Sequence, residues 1–162
     1  MWEGKLVSIH ITDKHGGEPV SVPEALAVPC KGLNGDRHYM QDGLESPKYA
    51  PEREITLIEV ESIIALQRDR NIKINPGEAR RNLVTKDVAL NHLVDKEFQV
   101  GEVTLMGKRL CEPCDHLAST TQKGVLPGLV HRGGLRAQIL SKGIIRVGDT
   151  IKGKYSSRPG EN

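Results

Sequence analysis

The chain has 162 residues, 37% hydrophobic and 27% charged, with 23 Lys and Arg against 21 Asp and Glu for a formal charge of +2. Val, Ile, Leu and Phe make up about a quarter of it, enough for one packed core and too much for a disordered chain. No run approaches the ~20 apolar residues of a membrane span, the first residues lack the pattern of a signal peptide, and a near-neutral chain with five aromatics is no dedicated nucleic-acid binder. A cytoplasmic protein is expected, with neither membrane nor nucleic acid as partner.

Residues 5–12 alternate, Val7, Ile9 and Ile11 on one face and Ser8, His10 and Thr12 on the other, which predicts a strand. A turn at 14–17 and an extended stretch at 19–23 bracketed by Pro19 and Pro23 complete a hairpin. Residues 31–39, rich in Gly, Asn and Asp, read as a loop with exposed backbone, and 40–52 as a surface loop. A short strand at 55–58 leads into Val60, Ile63, Ile64 and Gln67, at the spacing of an amphipathic helix that ends near Asn71.

After a turn at 75–77, Arg80, Arg81 and Asn82 lead into an apolar strand. Residues 98–107 alternate around a Gly-Glu turn, and 144–151 repeat the order apolar, Gly, acid, apolar. Short helices are predicted at 115–121 and 125–131, a break at 132–134, a strand at 135–140 and a polar tail at 153–162. Seven or more short strands without regular strand-helix-strand alternation predict a mainly β, barrel-like, mostly antiparallel domain over residues 1–152.

Three groups of residues carry candidate chemistry. In Arg109-Leu110-Cys111-Glu112-Pro113-Cys114-Asp115-His116, the Cys-x-x-Cys lacks the directly following His of a haem attachment site. It also lacks the second pair of a common zinc motif, although Cys30, His116 and His131 are available as ligands. Cys114 sits where a helix is predicted to begin, and a helix N-terminus favours thiolate, both a nucleophile and a soft metal ligand. The plainer alternative is a pair of small buried hydrophobes. Arg80-Arg81-Asn82 and Gly35-Asp36-Arg37-His38, with Arg53 further on, offer planar guanidinium forks and an amide suited to an anionic heterocycle. Singly, each also reads as a solvated basic face.

Their order along the chain adds a further signal. Gly-Leu-Asn-Gly-Asp-Arg-His (32–38), Arg-x-Ile-Thr-Leu-Ile (53–58), Arg-Arg-Asn-Leu-Val-Thr (80–85), Val-Gly-Glu-Val-x-Leu (100–105), Cys-x-Pro-Cys (111–114), Arg-Gly-Gly-Leu-Arg-Ala (132–137) and Val-Gly-Asp (147–149) together resemble the MOSC domain, the C-terminal domain of molybdenum cofactor sulfurase. The resemblance spans residues 5–152 and implies a β-barrel that binds the molybdenum cofactor, a molybdopterin. It implies Cys114 as catalytic residue and molybdenum ligand, Arg80 and Asn82 as cofactor contacts, and Arg37 and Arg53 as further basic contacts. Reduction of N-hydroxylated small molecules, with a redox partner, is the activity it suggests. Pyridoxal phosphate is not expected, because the matching blocks correspond to the MOSC portion and not to the desulfurase domain of the fused sulfurases. Two alternatives stand beside it: a sulfur carrier that receives a persulfide on Cys114 from a cysteine desulfurase, and a zinc- or ligand-binding β domain without catalysis.

Overall fold

The computed structural model describes residues 2–14, 16–111 and 132–154. Its strands are β1 (Glu3–Ile11), β2 (Val20–Val22), β3 (Glu24–Val28), β4 (Gly32–Leu33), β5 (Ile55–Glu59), β6 (Leu83–Lys86), β7 (Glu97–Val100), β8 (Val103–Leu110), β9 (Leu135–Ile139), β10 (Gly143–Arg146) and β11 (Thr150–Gly153). The α-helix among the described residues, α1, is Val60–Arg70. The order β11-β7-β8-β9-β5-β6-β1, with β11 returning to β1, closes a seven-stranded mixed barrel, and β2 extends it beside β1. Closure removes the exposed edges that an open sheet would leave. A separate sheet, β10-β3-β4, packs on it.

Leu6, Ile9, Leu57, Leu83, Phe98, Leu105, Leu135 and Ile151 fill the barrel. Outside it, Ile58 and Val84 face Ile63 and Leu66 of α1 in a second core. β5 and β6 are thus buried on both faces, which is why 55–58 and 83–85 read as continuous rather than alternating apolar runs. The two strands run parallel, Leu57 opposite Leu83 and Ile58 opposite Val84, with α1 as their crossover. The sequence reading has these three elements but not their parallel pairing; every other strand pair among the described residues is antiparallel.

The helix ends at Asn71, which takes the left-handed conformation of a C-cap (φ 54°). Ile64, expected on its packed face, is 56% exposed, because Ile63 and Leu66 already cover the sheet.

The hairpin expected over 5–23 is present, Ile9 opposite Val22 and Ile11 opposite Val20. The parity of its first strand differs from the expectation. A bulge between Leu6 and Ser8 inserts Val7 as an extra residue against β6. Val7 is therefore turned outward, 38% exposed, while Leu6 and Ile9 both face the core. Ile9 and Ile11 keep their expected side, and His10 and Thr12 lie on the opposite one, where they are nevertheless buried.

β3 and β4 were not predicted, and residues 31–39 are not wholly exposed: Gly32, Leu33 and Asp36 are buried. Residues 40–52 contain two single 3-10 turns, Gly43–Glu45 and Pro51–Arg53. The pattern at 144–151 divides at a corner, β10 joining β3 and β11 joining the barrel. At the break expected near 133, Gly134 (φ 108°) lies so close to the Leu57 carbonyl that a Cβ there would collide with it. The helices expected at 115–121 and 125–131, and the tail from 155 on, lie outside the described residues.

Candidate functional site

The 3-10 turn Pro76–Ala79 precedes β6 and is held by a capping box, in which Glu78 Oε1 accepts from the Asn75 N–H (2.9 Å). Its C-cap is Arg80, in the left-handed region at φ 59°, where a non-glycine residue stores strain. This turn carries Arg80, Arg81 and Asn82 to a cavity of about 320 Å³ at the head of β6. His10, Thr12, Asp36, Arg37, His38, Thr56, Cys111 and Arg136 line it with them, brought in by β1, the loop after β4, β5, the end of β8 and β9.

Asn82 is a structural clip as well as a wall. Its amide oxygen accepts from the N–H (3.1 Å) and hydroxyl (3.2 Å) of Thr56, and its NH2 donates to the His10 carbonyl (3.2 Å). One side chain thus joins β6, β5 and β1 at the cavity. Arg81 is buried and donates through Nε to the Gly133 carbonyl (2.8 Å).

Arg80 differs from both. Its Nη2 donates to Gly17 O (3.1 Å), while its buried Nε has no hydrogen-bond partner among the described residues. An unpaired buried donor costs about 1–3 kcal/mol unless a ligand supplies the acceptor.

Asp36 is the carboxylate among the described lining residues, against Arg37, Arg80, Arg81 and Arg136. Its Oδ1 accepts from Thr12 N–H (2.9 Å) and Oδ2 from His38 N–H (3.3 Å), and Arg37 N–H donates to the Thr12 carbonyl (2.6 Å). The acid therefore pins the loop that carries Arg37 to the end of β1. The described lining carries an excess of positive charge in a chain whose net charge is only +2. His10 adds no further charge at neutral pH, since burial lowers its pKa from 6.5. Its Nε2 and the Ser8 hydroxyl are hydrogen-bonded at 2.8 Å.

Arg37, Arg80 and Asn82, carried into a site by the resemblance, thus share one cavity. Arg53 does not line it. Neighbouring Glu54 turns inward at the end of Pro51–Arg53, leaving Arg53 exposed with Nη1 toward the Lys48 carbonyl (3.4 Å). Cys114, His116 and His131 lie outside the described residues. Cys30, a candidate zinc ligand, sits in the β3–β4 turn and does not line the cavity. No group of three or more His, Cys, Asp or Glu that could hold a metal ion occurs among the described residues. His10, Thr12, Thr56 and Arg136 were not picked out as site residues. The polar face of the first strand, and the second Arg of the Arg-Gly-Gly-Leu-Arg-Ala block, were the available signals.

The MOSC domain family model matches residues 45–152, about two thirds of the chain. The chain belongs to the MOSC domain family. No curated protein matches it. Among solved structures, this MOSC domain is similar to the YuaD protein from Bacillus subtilis, with a TM-score of 0.73 and 16% identity over 93% of this chain and 97% of that one. It is also similar to YiiM from Geobacillus stearothermophilus, with a TM-score of 0.70 and 14% identity over 94% and 75% of the two chains. YiiM from Escherichia coli gives 0.66 and 16%, over 94% and 70%. At these identities the likeness concerns the fold. No helix among the described residues of the MOSC domain is long and apolar enough to cross a membrane.

Proposed function

We propose that this MOSC domain binds the molybdenum cofactor in the arginine-lined cavity and acts in reduction of N-hydroxylated small molecules. The observation that carries the reading is the donor set among the described residues: guanidiniums in excess over one occupied carboxylate, including a buried Arg80 Nε still without an acceptor. These groups fit a phosphate-bearing heterocycle, since guanidinium forks match phosphate oxygens in geometry and charge. A cavity of about 320 Å³ is within the size range of small-ligand sites.

In this reading Arg80 and Arg37 hold the anionic end, and Asn82 keeps the three strands around it in register. Neutral His10 offers an uncharged wall. Cys111 brings the end of β8 to the cavity, and Cys114, three residues on, is the proposed metal ligand. When bound, the cofactor supplies the two-electron chemistry that removes oxygen from an N-hydroxylated compound, while the protein positions it.

The test is to isolate the protein from a host that makes the cofactor and to measure molybdenum and pterin. Stoichiometric amounts of both are expected, with metal lost in Cys114→Ala and pterin weakened in Arg80→Ala. Preparations free of both would overturn the reading.

A further inference from the structure

The arginine-lined cavity contains a titratable ring that serves above only as an uncharged wall. His10 is 8% exposed and lines the cavity from β1. The turn before β6 brings Arg80 and Arg81 to the same space, the loop after β4 brings Asp36, Arg37 and His38, β9 brings Arg136, and the end of β8 brings Cys111. β2, with Ser21 opposite His10, and β5, with Thr56 in the lining, add no charge there. The turn that carries Arg80 packs directly on the ring: a Cβ at Gly77 would stand 3.1 Å from His10 Nδ1. The Glu78 carboxylate of that turn is engaged by the Asn75 N–H.

An enclosed imidazolium among guanidiniums is opposed by lost hydration and by like charge until an anion supplies the counter-charge. Burial does lower the His10 pKa. Two contacts make His10, and not His38, the ring that responds to an anion. The Ser8 hydroxyl, 2.8 Å from His10 Nε2, can donate to the neutral ring and accept from the protonated one, so proton uptake preserves that hydrogen bond. His38 Nε2 instead accepts from Arg37 Nε (3.1 Å), a bond that is lost when the same nitrogen takes a proton.

We propose that His10 takes up a proton from solvent when a dianion of the phosphate or sulfate class enters the cavity, so that anion and proton bind as a pair. The coupling is reciprocal: the anion raises the affinity of the ring for a proton by the same factor as the proton raises the affinity of the cavity for the anion. An opposite charge close to a titrating group shifts it by about 1–3 pH units, which sets roughly tenfold in affinity as the least effect expected. The cavity thus holds a doubly charged group more tightly as pH falls from neutral and releases it as pH rises. This coupling rests on the reading of the cavity as an anion site, but requires no molybdenum.

The experiment uses the full chain from a host unable to make molybdopterin and titrates it with sulfate in a calorimeter. Sulfate stays a dianion between about pH 5.5 and about pH 7.5, the range in which histidine titrates, so the ligand adds no pH dependence of its own. In the unaltered chain, binding should be roughly tenfold tighter at the acid end, with a heat that varies with buffer in the sense of proton uptake. His10→Gln should lose the slope, whereas His38→Gln, whatever its affinity, and His92→Gln, exposed and outside the cavity, should keep it. Equal affinity at both ends in the unaltered chain, or a slope that persists in His10→Gln, would overturn the coupling and leave the anion site standing. No sulfate binding at any pH would overturn the anion site and the coupling with it.

A second measurement on the unaltered chain reads the ring itself. Among the imidazole proton resonances of its six histidines, one should titrate about one pH unit higher in sulfate than in chloride of equal ionic strength, and that resonance should be missing from His10→Gln. Identical midpoints in the two salts would overturn the proposal.

Discussion

Among the described residues, two buried polar clusters are finished in opposite ways. At one, Glu54, only 2% exposed, accepts from the N–H groups of Cys30 (3.1 Å) and Ile139 (3.1 Å) through Oε1 and from the Tyr49 hydroxyl (2.9 Å) through Oε2. This ties the β3–β4 turn, β9 and the 40–52 loop together and leaves the carboxylate fully engaged from within. At the other, the arginine-lined cavity, Asp36 and Asn82 are similarly engaged, but among the described residues the guanidiniums outnumber the acid and Arg80 Nε has no partner. Buried polar groups satisfied by the chain hold a fold together; donors left over are available to a ligand.

The largest expected effect tests the closed cluster. Glu54→Ala would strand two backbone donors and a hydroxyl, at a cost of about 3 kcal/mol in a denaturant titration, with no change in binding of sulfate or phosphate at the cavity. Comparable loss of anion binding would erase the distinction between the two clusters.

Asn82→Ala comes next, since it removes the clip between β6, β5 and β1 and exposes the Thr56 and His10 backbone groups to an unpaired state. About 2 kcal/mol of destabilisation is expected, measured by thermal melting. A variant as stable as the parent would assign Asn82 to ligand contact alone.

Arg80→Ala should invert the pattern, losing roughly tenfold in anion affinity by calorimetry while changing stability by less than about 1 kcal/mol. Arg53→Ala, outside the cavity, should alter neither. Equal losses from both arginines would mean that general surface charge, and not the cavity, attracts the anion.

The clusters should also answer pH differently. Burial lowers the pKa of His10 in the folded chain, so the unfolded chain takes up a proton first and stability falls as pH drops below 6.5. His10→Gln should flatten that part of the stability profile. Glu54 acts in the reverse sense. Desolvation raises its carboxyl above 4.5 despite the hydrogen bonds from Ile139, Tyr49 and Cys30, which favour the carboxylate. The folded state therefore takes up its proton at higher pH than the unfolded one, and acidification through that range restores stability. Burial first, and then the adjacent Glu54, also raise the Tyr49 hydroxyl above its ordinary value.

The smallest effect is expected away from both clusters. Ile64→Ser on the exposed face of α1 should stay within about 0.5 kcal/mol, whereas Ile63→Ala should cost about 2 kcal/mol or more in the same titration.

Much of the architecture was legible in local pattern. The hairpin, the helix and its end at Asn71, and the strands after 55, 83 and 135 all follow from side-chain period and turn chemistry. β3 escaped because its apolar residues adjoin Pro29 and Cys30 in a stretch that reads as turn. The parallel pairing of β5 and β6 escaped because a run buried on both faces carries no direction. The bulge at Val7 was hidden for a related reason: an inserted residue reverses inward and outward positions on one side of it, and only the register against β6 shows where.

The sequence by itself determined that this chain would form a mainly β barrel, and its ordered motifs identified the MOSC resemblance. It also singled out the Arg80 and Arg37 segments, because turn-forming residues beside clustered guanidiniums are a local signal. Tertiary structure decided which of the candidates meet. It joined Arg80 and Arg37 with His10, Arg136 and Cys111 from distant strands and turned Arg53 away, because closing the barrel fixes which strand ends share a cavity. The position of Cys111 in that cavity follows from the pairing of β8 with β9, a contact between residues far apart in the chain.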